Sequence, residues 1–245
     1  MLRSFARANI SQMQRENAKQ YKILRAFSLP QVQIFAAQNR VSSTLFGYNT
    51  EVNNQFLSRR KNWSYKDKYT MENLILLRPT AEYAGQIMQC KQEYLAADSS
   101  MDGCGPMRRT DDPMEYIEKC TLEENPETCP VELVPATQLI LVRKEDNKVL
   151  GFLQIRHEFN DYLSKFGGHI GYSVRPSERR KGYAKEMLRM ALPFCREIGL
   201  DKVLITCIDG NIGSEKTILA NGGIYESTIH EPNENVDLKR FWITL

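Results

Sequence analysis

Short apolar runs alternate with amphipathic stretches along the chain after residue 73. Apolar runs bounded by proline, glycine or polar turns predict strands, and apolar positions that recur every three or four residues predict helices. The predicted strands cover residues 74–79, 138–143, 149–157, 167–174 and 203–208, and a last hairpin runs from residue 223 to 243. The predicted helices begin at Thr80, at Asp111 or Asp112, at Lys181 and at Asn211. This alternation beside hairpins predicts an α/β fold, a mixed sheet with helices on both faces.

The helix predicted over residues 181–198 has the most regular pattern. Its apolar positions recur at helical spacing, and Gly199 follows where a helix commonly ends. Pro193 lies inside the pattern, so we expect either a kink or a shorter helix.

Charge divides the chain near Met71. Residues 1–70 contain 12 Lys and Arg against 3 Asp and Glu, a net charge of +9, whereas residues 71–245 carry 21 against 27, a net charge of −6. We therefore predict a basic, partly helical N-terminal extension over residues 1–70 and a separate domain over residues 71–245. The extension has three open interpretations: an arm for nucleic acid or acidic surfaces, a targeting presequence, or helices without a function of their own.

Composition excludes several classes of protein. Of the 245 residues, 42% are hydrophobic and 26% are charged, which is typical of globular chains rather than disordered or fibrous ones. No apolar run approaches the roughly 20 residues that span a bilayer. The six cysteines form no CxxC pair and nothing at the start resembles a secretory signal, so we expect free thiols and a cytoplasmic protein. Three histidines and unpaired cysteines give no metal-ligand spacing, and we expect no metal.

The sequence from Val174 to Ala184 is the motif that predicts chemistry. It places a basic turn, which contains Arg179, Arg180, Lys181 and Gly182, between a strand and the start of a helix. Unpaired N–H groups at a helix start, the helix dipole and nearby cations together favour a phosphate or diphosphate. The motif has neither the GxxxxGK[ST] spacing of a Walker loop nor the three glycines of a Rossmann fingerprint.

Residues 179–184, Arg-Arg-Lys-Gly-Tyr-Ala, resemble the acetyl-CoA signature [Q/R]-x-x-G-x-[G/A] of the GNAT N-acetyltransferase superfamily. The surrounding pattern is similar to the family as well, because Val174-x-Pro176 precedes the signature and Asn211-x-x-Ser214 opens a later helix. The resemblance covers about residues 73–245. It implies a mostly antiparallel sheet flanked by helices and acetyl-CoA as the co-substrate.

By this resemblance, backbone N–H groups of residues 180–184 would hold the diphosphate. The strand end at residues 172–174 would pair with the pantetheine arm, and the Val174 N–H would stabilise the tetrahedral oxyanion. Asn211 would contact the cofactor or simply cap a helix. The cofactor-binding residues so implied are Tyr172, Val174, Arg179, Arg180, Lys181, Gly182, Tyr183, Ala184 and Asn211.

This sequence lacks the residues that usually serve as general acid and general base in the family it resembles. Ile218 stands where many relatives have a tyrosine that acts as the general acid. Gly168 stands where many have a glutamate that acts as the general base. The candidate catalytic residues are His169 and Glu158 as bases and Tyr225 as acid, with His157, Tyr183 and Cys207 as further substitutes. Proton transfer through water, without a dedicated base, is equally open.

The expected acceptor is a primary amine of a small molecule or a peptide. Acidic residues in the 94–116 segment and in the last hairpin suggest a cationic amine, although a solvated acidic face explains them as well. Two other functions remain open: a regulatory module that binds acetyl-CoA without catalysis, and nucleic-acid binding through residues 1–70. We expect no membrane contact, and a homodimer is compatible with the sequence.

Overall fold

The computed structural model describes residues 73–245, which form two β-sheets flanked by helices. The strands are β1 (Leu74–Leu77), β2 (Ala136–Arg143), β3 (Lys148–Arg156), β4 (Ile170–Val174), β5 (Lys202–Ile208), β6 (Ile224–Glu231) and β7 (Val236–Thr244). The α-helices are α1 (Ala84–Ala96), α2 (Pro113–Glu124), α3 (Tyr183–Glu197) and α4 (Ile212–Leu219). The extension predicted for residues 1–70 lies outside the described residues.

Every strand pair in the two sheets is antiparallel. The first sheet has the order β1-β2-β3-β4, and the second has the order β5-β7-β6. The hairpins β2–β3 and β6–β7 confirm the sequence prediction. The mostly antiparallel α/β architecture is confirmed too, but its strands form two hydrogen-bonded sheets rather than one.

The two sheets meet at His169 and Leu204. The N–H of His169 donates to the carbonyl of Leu204 over 2.7 Å, and the N–H of Leu204 donates to Nδ1 of His169 over 2.9 Å. Within residues 73–245, β4 and β5 belong to different sheets and form no ladder with each other. Beyond this junction, the backbone N–H and C=O groups on the β5-facing edge of β4 therefore have no partner strand.

Both faces of the first sheet are covered by helices. Leu139 and Leu141 of β2 pack in the apolar cluster that includes α3, whereas Ile140 and Val142 pack in the cluster that includes α1 and α2. All four side chains are almost completely buried. This continuous apolar run of β2 is typical of a strand that is covered on both faces, and it fixes β3 and β4 between the helices.

The helix ends follow local chemistry. Asp112 caps α2, because its carboxylate accepts from the N–H groups of Met114 and Glu115. Gly199 has a φ of 93° and ends α3 as expected. Of the two outcomes expected for Pro193, a shorter helix is excluded, because α3 continues to Glu197 with Pro193 on its exposed side.

All six cysteines are free thiols, and five of them are buried. In the part of the chain that the structure describes, no helix has the length and apolar character that crossing a membrane requires.

Gly103 allows the loop between α1 and α2 to lie directly on β4. Its φ is 72°, and a Cβ at this position would lie 2.1 Å from the carbonyl oxygen of Gly171. We predict that Gly103→Ala lowers the free energy of unfolding by at least ~2 kcal/mol, because strain and backbone overlap add. Urea denaturation measures the loss.

Gly85→Ala is the matched control, since a Cβ at Gly85 in α1 meets nothing within 4 Å. It should leave stability unchanged or raise it by up to ~1 kcal/mol. Equal stability of both variants would contradict the close approach of the loop to β4.

Candidate functional site

The turn from β4 into α3 exposes a row of backbone N–H groups. Gly182 is the N-cap residue of α3 with a φ of 85°, and no side chain caps this helix. The first intrahelical bond of this turn joins the N–H of Glu186 to the carbonyl of Gly182, so the N–H groups of Tyr183, Ala184 and Lys185 have no acceptor inside the helix. By contrast, Asp112 caps α2 and Asn211 caps α4. The start of α3 is therefore suited to bind an anion.

Basic side chains surround this helix start. Arg179, Arg180 and Lys181 are all exposed. The guanidinium of Arg179 donates to the carbonyl of Val174 over 3.1 Å and to the hydroxyl of Ser99 over 2.6 Å. Arg179 thus fixes the turn against the end of β4 while it adds positive charge.

A buried carboxylate, Glu178, organises the base of this turn. Its side chain is 5% exposed and accepts from Lys148 over 2.5 Å and from Lys181 over 2.8 Å, while Arg143 lies 3.4 Å away. The hydrogen bonds from Lys148 and Lys181 lower the pKa of Glu178 to about 2. Arg143 also pairs with Asp146 over 2.6 Å, so three cations face two carboxylates and the region keeps a net positive charge.

A second carboxylate, Glu93 of α1, holds the same turn from the other side. It forms an ion pair with Arg175 over 2.6 Å and accepts from the hydroxyl of Ser177 over 2.8 Å. Burial raises the pKa of Glu93, but the hydrogen bonds from Arg175 and Ser177 outweigh it and lower the pKa below its ordinary value. Neither Glu93 nor Glu178 was among the site residues predicted from the sequence. Glu178 had one signal, as the single acid within the basic run 175–181.

The register of β3 and β4 directs the backbone N–H and C=O groups of Tyr172 and Val174 toward the opening between β4 and β5. Bonds from Arg156 N to His169 O and from Arg175 N to Leu150 O, both 2.8 Å, mark the hydrogen-bonded positions. Tyr172 and Val174 alternate with those positions, so their N–H and C=O groups point away from β3. The open edge of β4 and the start of α3 therefore adjoin each other.

The side chain of Tyr172 reaches across the opening to α4. Its hydroxyl lies 2.9 Å from the hydroxyl of Ser214 and 3.3 Å from the carbonyl of the same residue. Burial raises the pKa of Tyr172, so the phenol is protonated at neutral pH. The amide oxygen of Asn211 accepts from the N–H of Ser214 over 3.1 Å, which is the role of a helix cap.

His169 is part of the junction between the sheets. Its ring is 6% exposed, stacks 3.9 Å from the ring centroid of Phe159, and uses Nδ1 to accept from Leu204. Burial, followed by the charge of Arg156, lowers the pKa of His169 to about 4. The residue is a neutral structural bridge, and this placement does not support its predicted role as a general base.

The other two predicted catalytic residues lie apart from Val174 and the start of α3. Glu158 is exposed in the segment after β3. Tyr225 lies on β6, which β7 separates from β5, and its hydroxyl pairs with Thr228 over 2.9 Å. Of the further substitutes, His157 contacts Thr137 over 2.9 Å, and the Tyr183 hydroxyl accepts from Arg143. Cys207 is buried on β5.

Comparison with a family model and with solved structures points to one kind of fold. Residues 101–219 match the model of the Acetyltransferase (GNAT) family. No curated protein matches the sequence.

Among solved structures, the fold is similar to three acetyltransferases. Ribosomal-protein-S5-alanine acetyltransferase from Vibrio fischeri has a TM-score of 0.57 and 14% identity, over 73% of this chain and 96% of that one. RimL, a ribosomal L7/L12 α-N-protein acetyltransferase in complex with coenzyme A, has a TM-score of 0.54 and 15% identity, over 71% and 96%. The microcin C7 self-immunity acetyltransferase MccE, in complex with acetyl-CoA and AMP, has a TM-score of 0.53 and 19% identity, over 71% and 94%.

Glu178→Gln should destabilise the domain in a pH-dependent way. The pKa of Glu178 is lower in the folded protein, at about 2, than its ordinary value of 4.5, so the carboxylate stabilises the fold above pH 4.5. We predict a loss of about 1–3 kcal/mol at pH 7, and a difference from the wild type that shrinks as the pH falls from 4.5 toward 2. Denaturation at a series of pH values measures this difference.

The exposed Glu145, in the turn between β2 and β3, provides the control. Glu145→Gln should change stability by less than about 0.5 kcal/mol at every pH. A pH-independent loss in Glu178→Gln would show that the three cations do not depend on its charge.

Proposed function

We propose that this protein transfers the acetyl group of acetyl-CoA to a primary amine, since residues 101–219 match the model of the Acetyltransferase (GNAT) family. One observation supports the proposal more than any other: the uncapped start of α3 adjoins the open edge of β4. A diphosphate suits the first feature and an extended amide chain suits the second. Acetyl-CoA carries both groups in one molecule.

The backbone of the turn and the strand would bind this co-substrate. The N–H groups of residues 182–185, together with Arg179, Arg180 and Lys181, would hold the diphosphate. The N–H and C=O groups of Tyr172 and the N–H of Val174 would pair with the pantetheine amides like an added strand. Asn211 stays a proposed contact on the cofactor side, through the amide nitrogen that its capping bond leaves unused.

Acetyl transfer then needs few side chains. The neutral amine attacks the thioester carbon, a C–N bond forms and the C–S bond breaks, and the N–H of Val174 stabilises the negative charge on the carbonyl oxygen. Binding both reactants side by side supplies much of the rate enhancement. The proton of the amine leaves through water, because the placements of His169 and Glu158 do not support a dedicated base.

Tyr172 is the proton donor that we propose for the departing thiolate. Its phenol lies in the opening between β4 and α4, hydrogen-bonded to Ser214. Ile218, which occupies the usual position of this tyrosine, is completely buried. Tyr172 would thus supply from β4 the hydroxyl that α4 lacks, and Tyr225 on β6 is too far along the second sheet to do so.

The acceptor is a primary amine of a small molecule or a peptide. The acidic residues that suggested a cationic amine are largely engaged in the fold itself. Asp111 pairs with Lys91, Glu226 pairs with Arg240, and the buried Glu231 accepts from the N–H of Glu234 within the β6–β7 turn. A cytoplasmic location, the absence of a metal and a homodimer stay predictions of the sequence.

Gly182→Asp tests the proposal at its binding site. Nothing lies within 4 Å of a Cβ at Gly182, so the substituent has room, but its carboxylate would repel the diphosphate. We predict that acetyl-CoA affinity, measured by calorimetry on the full-length chain, falls at least about tenfold, or 1.4 kcal/mol. Thiol release from acetyl-CoA with a panel of amines should fall in parallel.

Gly199→Asp is matched to this variant, because Gly199 also has a positive φ with open space and lies at the opposite end of α3. It should bind acetyl-CoA like the wild type. Equal affinities of the two variants would remove the proposed diphosphate site, and tight binding without thiol release to any amine would favour the regulatory module instead.

Tyr172→Phe separates acid catalysis from cofactor binding. Loss of the phenol proton should lower kcat about tenfold to hundredfold, while the KM for acetyl-CoA stays within about twofold because the backbone contacts remain. Steady-state thiol release with the best amine of the panel gives both values. The same assay on Tyr225→Phe should show wild-type kcat, and a loss in that variant alone would assign the acid to β6.

A further inference from the structure

A cavity of about 260 Å³ opens on the α1–α2 side of the first sheet. Its walls come from the segment between α1 and α2, from β3, and from the segment between β3 and β4. Gln154 and Arg156 of β3 both line it, and they lie two residues apart, so their side chains point to the same face of the sheet. This cavity is distinct from the start of α3, which lies beyond the other end of β4.

The charge of Arg156 is not balanced by the fold. Nη1 donates to the carbonyls of Gly167 and Gly168 over 3.1 and 3.2 Å, and no carboxylate of residues 73–245 forms an ion pair with the guanidinium. Burial lowers the pKa of Arg156 and the charge of Asp102 partly offsets this, but Asp102 is 60% exposed and pairs with Arg108. A half-buried cation without a counter-ion is costly unless a ligand supplies one.

The other charged residues of the cavity neutralise each other. Glu123 and Arg109 form an ion pair over 2.6 Å. Gln154 and Tyr162, which also line the cavity, are neutral residues that can form hydrogen bonds. Arg156 therefore leaves the cavity with one excess positive charge and with N–H donors beside it, a combination that suits a carboxylate.

The cavity adjoins the strand on which the proposed reaction takes place. Gln154 is the register partner of Gly171, and Nη2 of Arg156 lies 3.6 Å from the position of a Cβ on Gly171. Gly171 precedes Val174 by three residues, which corresponds to about 10 Å along a strand. An acceptor whose amine lies at Val174 could thus place a group in the cavity about 10 Å away.

We propose that this cavity binds a carboxylate of the acceptor through Arg156 and Gln154, so that the substrate is an amine that also carries a carboxylate. The proposal rests on the proposed function, since it takes Val174 as the position of acetyl transfer. A separation of about 10 Å matches an extended peptide of about three residues with a free C-terminus. A cationic amine without a carboxylate would lack the group that Arg156 needs.

The experiment compares two probes, triglycine and its C-terminal amide, which differ in the carboxylate. Binding to the full-length wild type is measured by ligand-observed NMR in the presence of coenzyme A. We predict that triglycine binds at least about tenfold more tightly than triglycinamide. Equal binding of the two probes, or binding of neither, would overturn the proposal without any need for a variant.

Two variants test which cation causes the preference for triglycine over triglycinamide. Arg156→Gln should bind both probes alike, whereas Arg108→Gln, which removes an exposed cation of the neighbouring loop, should keep the preference for triglycine. A preference that survives in Arg156→Gln would assign the carboxylate to another cation. Circular dichroism checks that Arg156→Gln is folded.

Acetyl-CoA titrations on the same samples keep the two proposals apart. Arg156→Gln should bind acetyl-CoA like the wild type, because the cavity does not contain the diphosphate site. Normal acetyl-CoA binding without a carboxylate preference would overturn the acceptor proposal alone. Absent acetyl-CoA binding in the wild type would overturn the proposed function, whatever the probes show.

Discussion

The break in hydrogen bonding between β4 and β5 is the constraint on which the rest of the site depends. His169 and Leu204 join the two sheets at one point, and β4 has no strand partner on that side beyond it within residues 73–245. A buried backbone must satisfy its N–H and C=O groups, so an open strand edge inside a fold is suited to a ligand that completes it. The same edge leads directly into a helix start without a cap. A single stretch of main chain therefore provides both amide-pairing and anion-binding groups.

Electrostatics make this stretch rigid without making it neutral. Glu93 and Glu178 lie on opposite sides of the turn. Glu93 pairs with Arg175, and Glu178 pairs with both Lys148 and Lys181. Glu178 accepts from two lysines at once, so the turn is ordered while it keeps a net positive charge. An anion at the start of α3 then meets a preformed site and loses little free energy to ordering of the loop.

Much of the fold could be predicted from the sequence, because strand and helix patterns are local. The β2–β3 hairpin, the helix after Gly182 and its end at Gly199 all depend on neighbouring residues. Only the part of the site that consists of backbone groups could be predicted from the sequence. The contact of Glu93 with Arg175 joins residues 82 positions apart, and no local pattern encodes it. His169 illustrates the same limit: its residue type suits a base, but burial and the charge of Arg156 lower its pKa, and its Nδ1 accepts from Leu204, which only the fold brings near.

A crystal structure of the full-length protein with acetyl-CoA tests the central claim most directly. The diphosphate should lie within hydrogen-bond distance of the N–H groups of residues 182–185. The thioester oxygen should lie about 3 Å from the nitrogen of Val174, with the pantetheine arm along the open edge of β4. Acetyl-CoA bound elsewhere, with β4 and the start of α3 unchanged by its presence, would contradict the account.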